Sequence, residues 1–128
     1  MSFSTEEEVR CEYLRLCVSA SSSDTHNRKP SAALSAGGIL LDVRRKEEIE
    51  QLSLPSSYSF LHVEVTRTDA SLLERKAHEM LPNKDVPVIC FCRSGRRSEL
   101  AKQTLIKMGY AEVLNAGGLT TGELAYLV

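Results

Sequence analysis

The sequence predicts an α/β domain with a mostly parallel central sheet flanked by helices on both faces, and three observations predict it. Apolar runs without polar alternation recur, as in Ile39-Leu40-Leu41-Asp42-Val43, which is how strands covered on both faces read. Helical segments with one apolar face fall between those runs. The chain has 128 residues, 42% of them apolar and 26% charged, which suits one core of useful size and leaves no room for a second full domain.

Taken in order, residues 1–31 form an N-terminal segment with a serine-rich polar loop, and residues 32–128 form the domain proper. Residues 5–8 fit a capping box opening a helix, while Leu14, Leu16 and Val18 alternate with Arg15 and Cys17 as in a half-buried strand. The two can follow one another. Residues 19–31 are too polar to join a core and are broken by Pro30, so a flexible loop is expected there. From Ile39 the pattern sharpens, because the run to Val43 is bounded by Gly37-Gly38 and ends in one acid. Further strands are expected over residues 60–65, 86–91 and 112–115. Between them, Thr68 or Asp69 can cap a helix presenting Leu72, Leu73, Ala77, Met80 and Leu81, ending before Pro82. Ser98 can cap another, with Leu100, Ala101, Leu105 and Met108 on one face and Gly109 at its close.

A formal net charge of -1 gives no global attraction to nucleic acid or an anionic membrane, so any anion binding must be local. No apolar run approaches a membrane span, and the acidic start is unlike a secretory signal. A soluble cytoplasmic protein is expected. The four cysteines, Cys11, Cys17, Cys90 and Cys92, could pair in number, but a reducing compartment argues against disulfides. Cys90 and Cys92 also lie two apart in an apolar run, where zinc ligands are usually separated by two to four residues in a loop. Neither a metal nor a cofactor is expected.

In a parallel sheet the ligand site lies beyond the carboxyl ends of the strands. The segment there after the third clear strand is Cys92-Arg93-Ser94-Gly95-Arg96-Arg97-Ser98. A cysteine at a strand end, followed by a tight turn and a helix start, sits where backbone N–H groups and the helix dipole converge. Arg93, Arg96 and Arg97 add positive charge, which favours thiolate over thiol. Gly95 suits a positive φ, and Glu99 is expected to point away. Against this, an isolated strand-end cysteine is often a small hydrophobe, and a basic cluster is usually solvated surface. Cys90 is expected in the core, with a resolving role left open. Of the arginines at least one is expected to bind substrate, with Arg97 the first candidate for a structural role. Asp42 and Arg44 are expected to support the site from beneath, Arg44 reaching Glu47 or Glu48. His26, His62 and His78 carry no readable arrangement and are taken as structural or exposed.

The 92–98 loop after an apolar strand resembles the active-site loop of rhodanese-family sulfurtransferases. Asp42-Val43-Arg44 with Glu47-Glu48-Ile49 resembles that family's first block, and Asn115-Ala116-Gly117-Gly118-Leu119 its closing turn. The family's Gly-His-Ile-Pro-Gly-Ala type segment is represented only by Leu52-Ser53-Leu54-Pro55-Ser56-Ser57, and the C-terminal aromatic helix is missing. The resemblance implies the rhodanese-like three-layer fold and a double displacement in which Cys92 takes sulfane sulfur from thiosulfate or a persulfide and passes it to cyanide, a thiol or a protein. The substrate-binding residues it implies are Arg93, Ser94, Gly95, Arg96, Arg97 and Ser98, in a monomer or weak homodimer. One rival is a cysteine phosphatase or arsenate reductase, which places arginine sixth after the nucleophile; here that position is Ser98. A second is a non-catalytic rhodanese-like binding module, whose members usually lose the cysteine that this chain keeps.

Overall fold

A computed structural model describes residues 28–127. The helix and strand expected around residues 5–8 and 14–18, with most of the serine-rich loop, lie outside the described residues.

The described chain begins with a short helix, α1 (Pro30–Ser35), starting inside the stretch expected to be a loop. Proline at the first helical turn costs no hydrogen bond, since its missing N–H would have had no partner there, and Ala33 is buried beneath it. The expected loop therefore ends two residues early. Strand β1 (Ile39–Asp42) leads into α2 (Lys46–Gln51), a six-residue helix with no buried residue. The Arg45 backbone N–H donates to the Glu48 carboxylate at 2.9 Å and opens that helix. Next come β2 (Phe60–His62), α3 (Ser71–Met80), β3 (Val88–Cys92), α4 (Arg96–Lys107), β4 (Val113–Gly118) and a 3₁₀ turn over Ala125–Leu127.

The four strands lie in the order β2-β1-β3-β4 and every pair is parallel. β3 is central, and all five of its residues are buried. Because side chains alternate along a strand, the sheet feeds two separate cores. Leu41, Val43, Val88, Cys90, Cys92 and Val113 pack with Leu73 and Ala77 of α3 and Ala101 and Leu105 of α4. Leu40, Ile89, Phe91, Leu114 and Ala116 pack with Ala33 of α1, Leu54, Leu124 and Leu127. This is the three-layer arrangement expected from the apolar runs.

Two helix starts differ from expectation. The residue preceding α3 is Ala70 rather than Thr68 or Asp69, although the Asp69 carboxylate still accepts the Ser71 N–H at 2.9 Å. α4 starts earlier than a Ser98 cap allows: Gly95 occupies the cap position at φ +96, and Ser98 lies inside the first turn. A left-handed cap favours glycine, which lacks the Cβ that penalises positive φ. At the other ends the expectations stand, with α3 closing before Pro82 and Gly109 following α4 at φ +97. No helix among the described residues is long and apolar enough to cross a membrane.

Candidate active site

Cys92 is the last residue of β3, and only Arg93 and Ser94 separate it from the Gly95 cap of α4. The left-handed Gly95 folds the chain back over the sulfur, and its N–H donates to Cys92 Sγ at 2.9 Å. A Cβ at Gly95 would also stand 3.3 Å from Gly117 Cα, so the turn is tight against β4. Burial pushes the Cys92 thiol up, but the Ser98 hydroxyl and the backbone N–H groups of Ser98, Ser94 and Gly95 outweigh it. Cys92 is left below the ordinary cysteine value, with hydrogen bonds to the charged form as the cause. Cys90 is the opposite case: fully buried without such donors, its thiol is pushed up to about 12.

Ser98 is shared between the sulfur and β4. Its hydroxyl has one proton and three acceptors in reach: Asn115 Oδ1 at 2.6 Å, the Gly95 carbonyl at 3.1 Å and Cys92 Sγ at 3.4 Å. With the proton on the short bond to Asn115, the oxygen can accept from a Cys92 thiol; with it turned to Sγ, it stabilises a thiolate. The same three atoms thus accommodate both protonation states. Asn115 fills its remaining capacity by accepting the Gly117 N–H at 2.9 Å and donating to the Gly95 carbonyl and Glu99, both at 3.0 Å. Glu99 is also held by Gln103 at 2.8 Å and does not engage the sulfur, as expected.

Among the described residues the arginines divide into paired and unpaired. Arg97 donates to both Glu48 oxygens at 2.7 and 3.0 Å, joining α4 to α2 across the site. The Arg97 guanidinium holds the Glu48 carboxyl down at about 2 against an ordinary 4.5, despite some burial. Because the folded value is depressed, this contribution to stability is complete above pH 4.5 and is lost as pH falls toward about 2. Urea denaturation across that window should therefore show a steeper loss of stability for the parent than for Glu48→Gln; equal slopes would remove the pair from the acid response. Arg44 does not pair with Glu47 or Glu48. Its guanidinium takes Asp42 at 2.9 Å and 2.7 Å, touching only the main-chain carbonyl of Glu48 at 3.4 Å. A fork two residues from a carboxylate on an extended strand closes that pair locally. His62 is structural, its ring nitrogen 2.6 Å from the Arg44 carbonyl.

Beyond the carboxyl ends of β1, β2 and β3 opens a cleft of about 340 Å³ lined by Arg45, Arg67, Arg93, Arg96 and Arg97 with Glu48 and Ser94. Of the residues expected to bind substrate, Arg93, Ser94, Arg96 and Arg97 face it, whereas Gly95 and Ser98 instead contact the sulfur. Cys92 itself has 0% exposure and lies beneath the turn rather than on the cleft wall. Three contributors escaped sequence reasoning. Arg45 and Arg67 sit past strand ends, a position that the strand-end rule could have flagged; Asn115 gave no signal beyond its place in the closing turn. Among the described residues no three His, Cys, Asp or Glu side chains converge as a metal site would require.

A family model described as the rhodanese-like domain matches residues 27–121. YrkF of Bacillus subtilis is 36% identical over 76 residues, 59% of this chain, and the chain spans only 36% of YrkF. The thiosulfate sulfurtransferase PspE of Escherichia coli is 34% identical over 79 residues, covering 62% of this chain and 68% of that protein. Among solved structures, a rhodanese with anions from E. coli superposes with a TM-score of 0.53 at 29% identity, over 65% of this chain and 88% of the other.

Proposed function

This chain belongs to the rhodanese-like domain family of sulfurtransferases, and from that premise we propose that it moves sulfane sulfur from thiosulfate or a persulfide donor to a thiophilic acceptor through a persulfide on Cys92. The observation that carries the proposal is the set of donors around Cys92 Sγ, which favours the thiolate in a strand-end position where a nucleophile is needed. In the first step the thiolate attacks the outer sulfur of thiosulfate. The sulfur–sulfur bond of the donor breaks, sulfite leaves with the electron pair, and Cys92 holds the transferred sulfur as a persulfide. In the second step an acceptor such as cyanide, a thiol or a protein attacks that outer sulfur, and the electron pair returns to Cys92 as thiolate. No general base is required. Arg93 and Arg96, exposed at the cleft, would hold the anionic donor, while the Ser94, Gly95 and Ser98 N–H groups would stabilise charge on the terminal sulfur. A cytoplasmic setting suits this chemistry, since it keeps both the nucleophile and thiol acceptors reduced.

The phosphatase alternative is disfavoured by Ser98, whose hydroxyl is bound to Asn115 where such enzymes present a guanidinium. A purely binding role is disfavoured by the hydrogen bonds spent on the sulfur. Incubation with thiosulfate should add one sulfur atom to the intact protein, located on Cys92 by peptide mass spectrometry. Cys90→Ser should label to the same extent as the parent, and labelling that follows Cys90 instead would sink the assignment.

A further inference from the structure

The cleft holds more positive charge, spread over more of the chain, than thiosulfate needs. Its five arginines come from three connections: Arg45 follows β1, Arg67 follows β2, and Arg93, Arg96 and Arg97 follow β3. Glu48 is the one acid lining it, and it is occupied by Arg97 at 2.7 Å and, more loosely, by Arg45 at 3.6 Å. Arg67, Arg93 and Arg96 are exposed and have no acidic partner among the described residues. In a chain of net charge -1 this excess is local, and like charges gathered in one concavity repel until an anion occupies it. Thiosulfate is a compact dianion with its oxygens at one end, so one or two guanidinium groups beside Cys92 suffice to hold it. A cleft of about 340 Å³ instead falls within the range of about 300–1,000 Å³ found for sites that enclose a whole organic ligand. The unpaired arginines also lie on two different connections, so a ligand that satisfies them carries separated negative charges.

We propose that the physiological sulfur acceptor is a small organic thiol bearing two or more negative charges, and that Arg67, on a different connection from the Cys92 loop, is the specificity-determining residue that anchors one of those charges. The inference rests on the persulfide reading of Cys92. The acceptor thiolate attacks the outer sulfur of the Cys92 persulfide, the sulfur–sulfur bond to Cys92 breaks, and its electron pair returns to Cys92. The acceptor leaves as a persulfide with the sulfur it gained, so no oxidant or reductant enters. Arg67 acts on the bound thiol directly, by charge-assisted hydrogen bonds to a carboxylate or similar group.

The test is single-turnover discharge. The protein is loaded with thiosulfate, freed of excess donor, and mixed with mercaptosuccinate or with neutral 2-mercaptoethanol, and loss of the extra sulfur is followed by intact mass. With rates corrected for the thiolate fraction of each thiol, mercaptosuccinate should discharge the persulfide about tenfold faster, and salt should shrink that advantage. In Arg67→Ala the ratio of the two rates should fall about fivefold, while in Arg75→Ala, on α3 and outside the cleft, it should hold. Use of a ratio cancels any general loss of folded protein. Equal discharge by the two thiols, or an Arg67→Ala effect of the same size on both, overturns the proposal while leaving the persulfide chemistry intact. Discharge only by a protein acceptor, with both small thiols slow and equal, overturns it likewise. Failure of thiosulfate to load Cys92 at all overturns both this inference and the reading on which it rests.

Discussion

Cys92→Ala is expected to reduce thiosulfate-to-cyanide turnover by roughly 10³-fold or more, the scale on which enzymes lose activity when the covalent nucleophile is removed. Nothing else in the site can take its place. Cys90 points into the core two residues back, with 0% exposure and a thiol pushed up to about 12, so it supplies neither thiolate nor access. Ser98 carries a hydroxyl, but one engaged with Asn115 at 2.6 Å and without a base beside it. Cys92→Ser should be equally inactive while keeping an acceptor for the Gly95 N–H, which separates loss of chemistry from loss of the turn. Residual turnover within tenfold of the parent in either variant, measured on protein with a native circular dichroism spectrum, would mean that sulfur passes through another group.

The second large effect is on stability. Asp42→Ala should destabilise the fold by about 3–5 kcal/mol, because it strands the Arg44 guanidinium in the interior. Asp42 has 0% and Arg44 4% exposure, and the carboxylate accepts from the Arg44 backbone N–H at 3.0 Å as well as from the side chain. The pair also bears on the site, since Asp42 is aligned with Phe91 in the sheet and the Arg44 guanidinium lies 5.9 Å from the Phe91 ring centre. Exchanging both residues, as in Asp42→Ala with Arg44→Met, should cost less than Asp42→Ala alone, because no unpaired charge then remains buried. Urea midpoints on the two variants decide the matter. A loss below about 1 kcal/mol for Asp42→Ala would place the pair with ordinary surface ion pairs.

How much of this was readable from the chain depended on the range of the interaction involved. β1 and β3 announced themselves because a strand covered on both faces needs apolar residues at every position, and such runs are visible without a partner. Gly95 was readable as a positive-φ position, and Cys92 as a strand-end thiol. The short helices α1 and α2 were not, since six residues complete too few turns to show a period, and α2 buries none of its side chains. Ser98 has the chemistry of a helix cap, but the left-handed Gly95 moved the helix start ahead of it and left its hydroxyl to Asn115. The pairing of Arg97 with Glu48 joins residues 49 apart, and sequence proximity pointed to Arg44 instead. Arg45 and Arg67 reach the cleft only because parallel strands bring their carboxyl ends to one edge. Local pattern found the strand-end cysteine; topology recruited the rest of the wall.

The position of β3 also makes Cys92 a reporter of folding. Its strand is flanked by β1, from much earlier in the chain, and by β4, from well after it, and the Leu119 N–H closes onto the Cys92 carbonyl at 2.9 Å. Parallel pairings of this kind are non-local and form late, after the entropy of closing the intervening loops has been met. Until β4 docks, Asn115 cannot hold the Gly95 carbonyl or take the Ser98 hydroxyl, and the turn over the sulfur lacks its outer brace. Protection of Cys92 from alkylation during refolding, as the sulfur becomes wholly covered, therefore times the last zippering of the sheet rather than the collapse of the core.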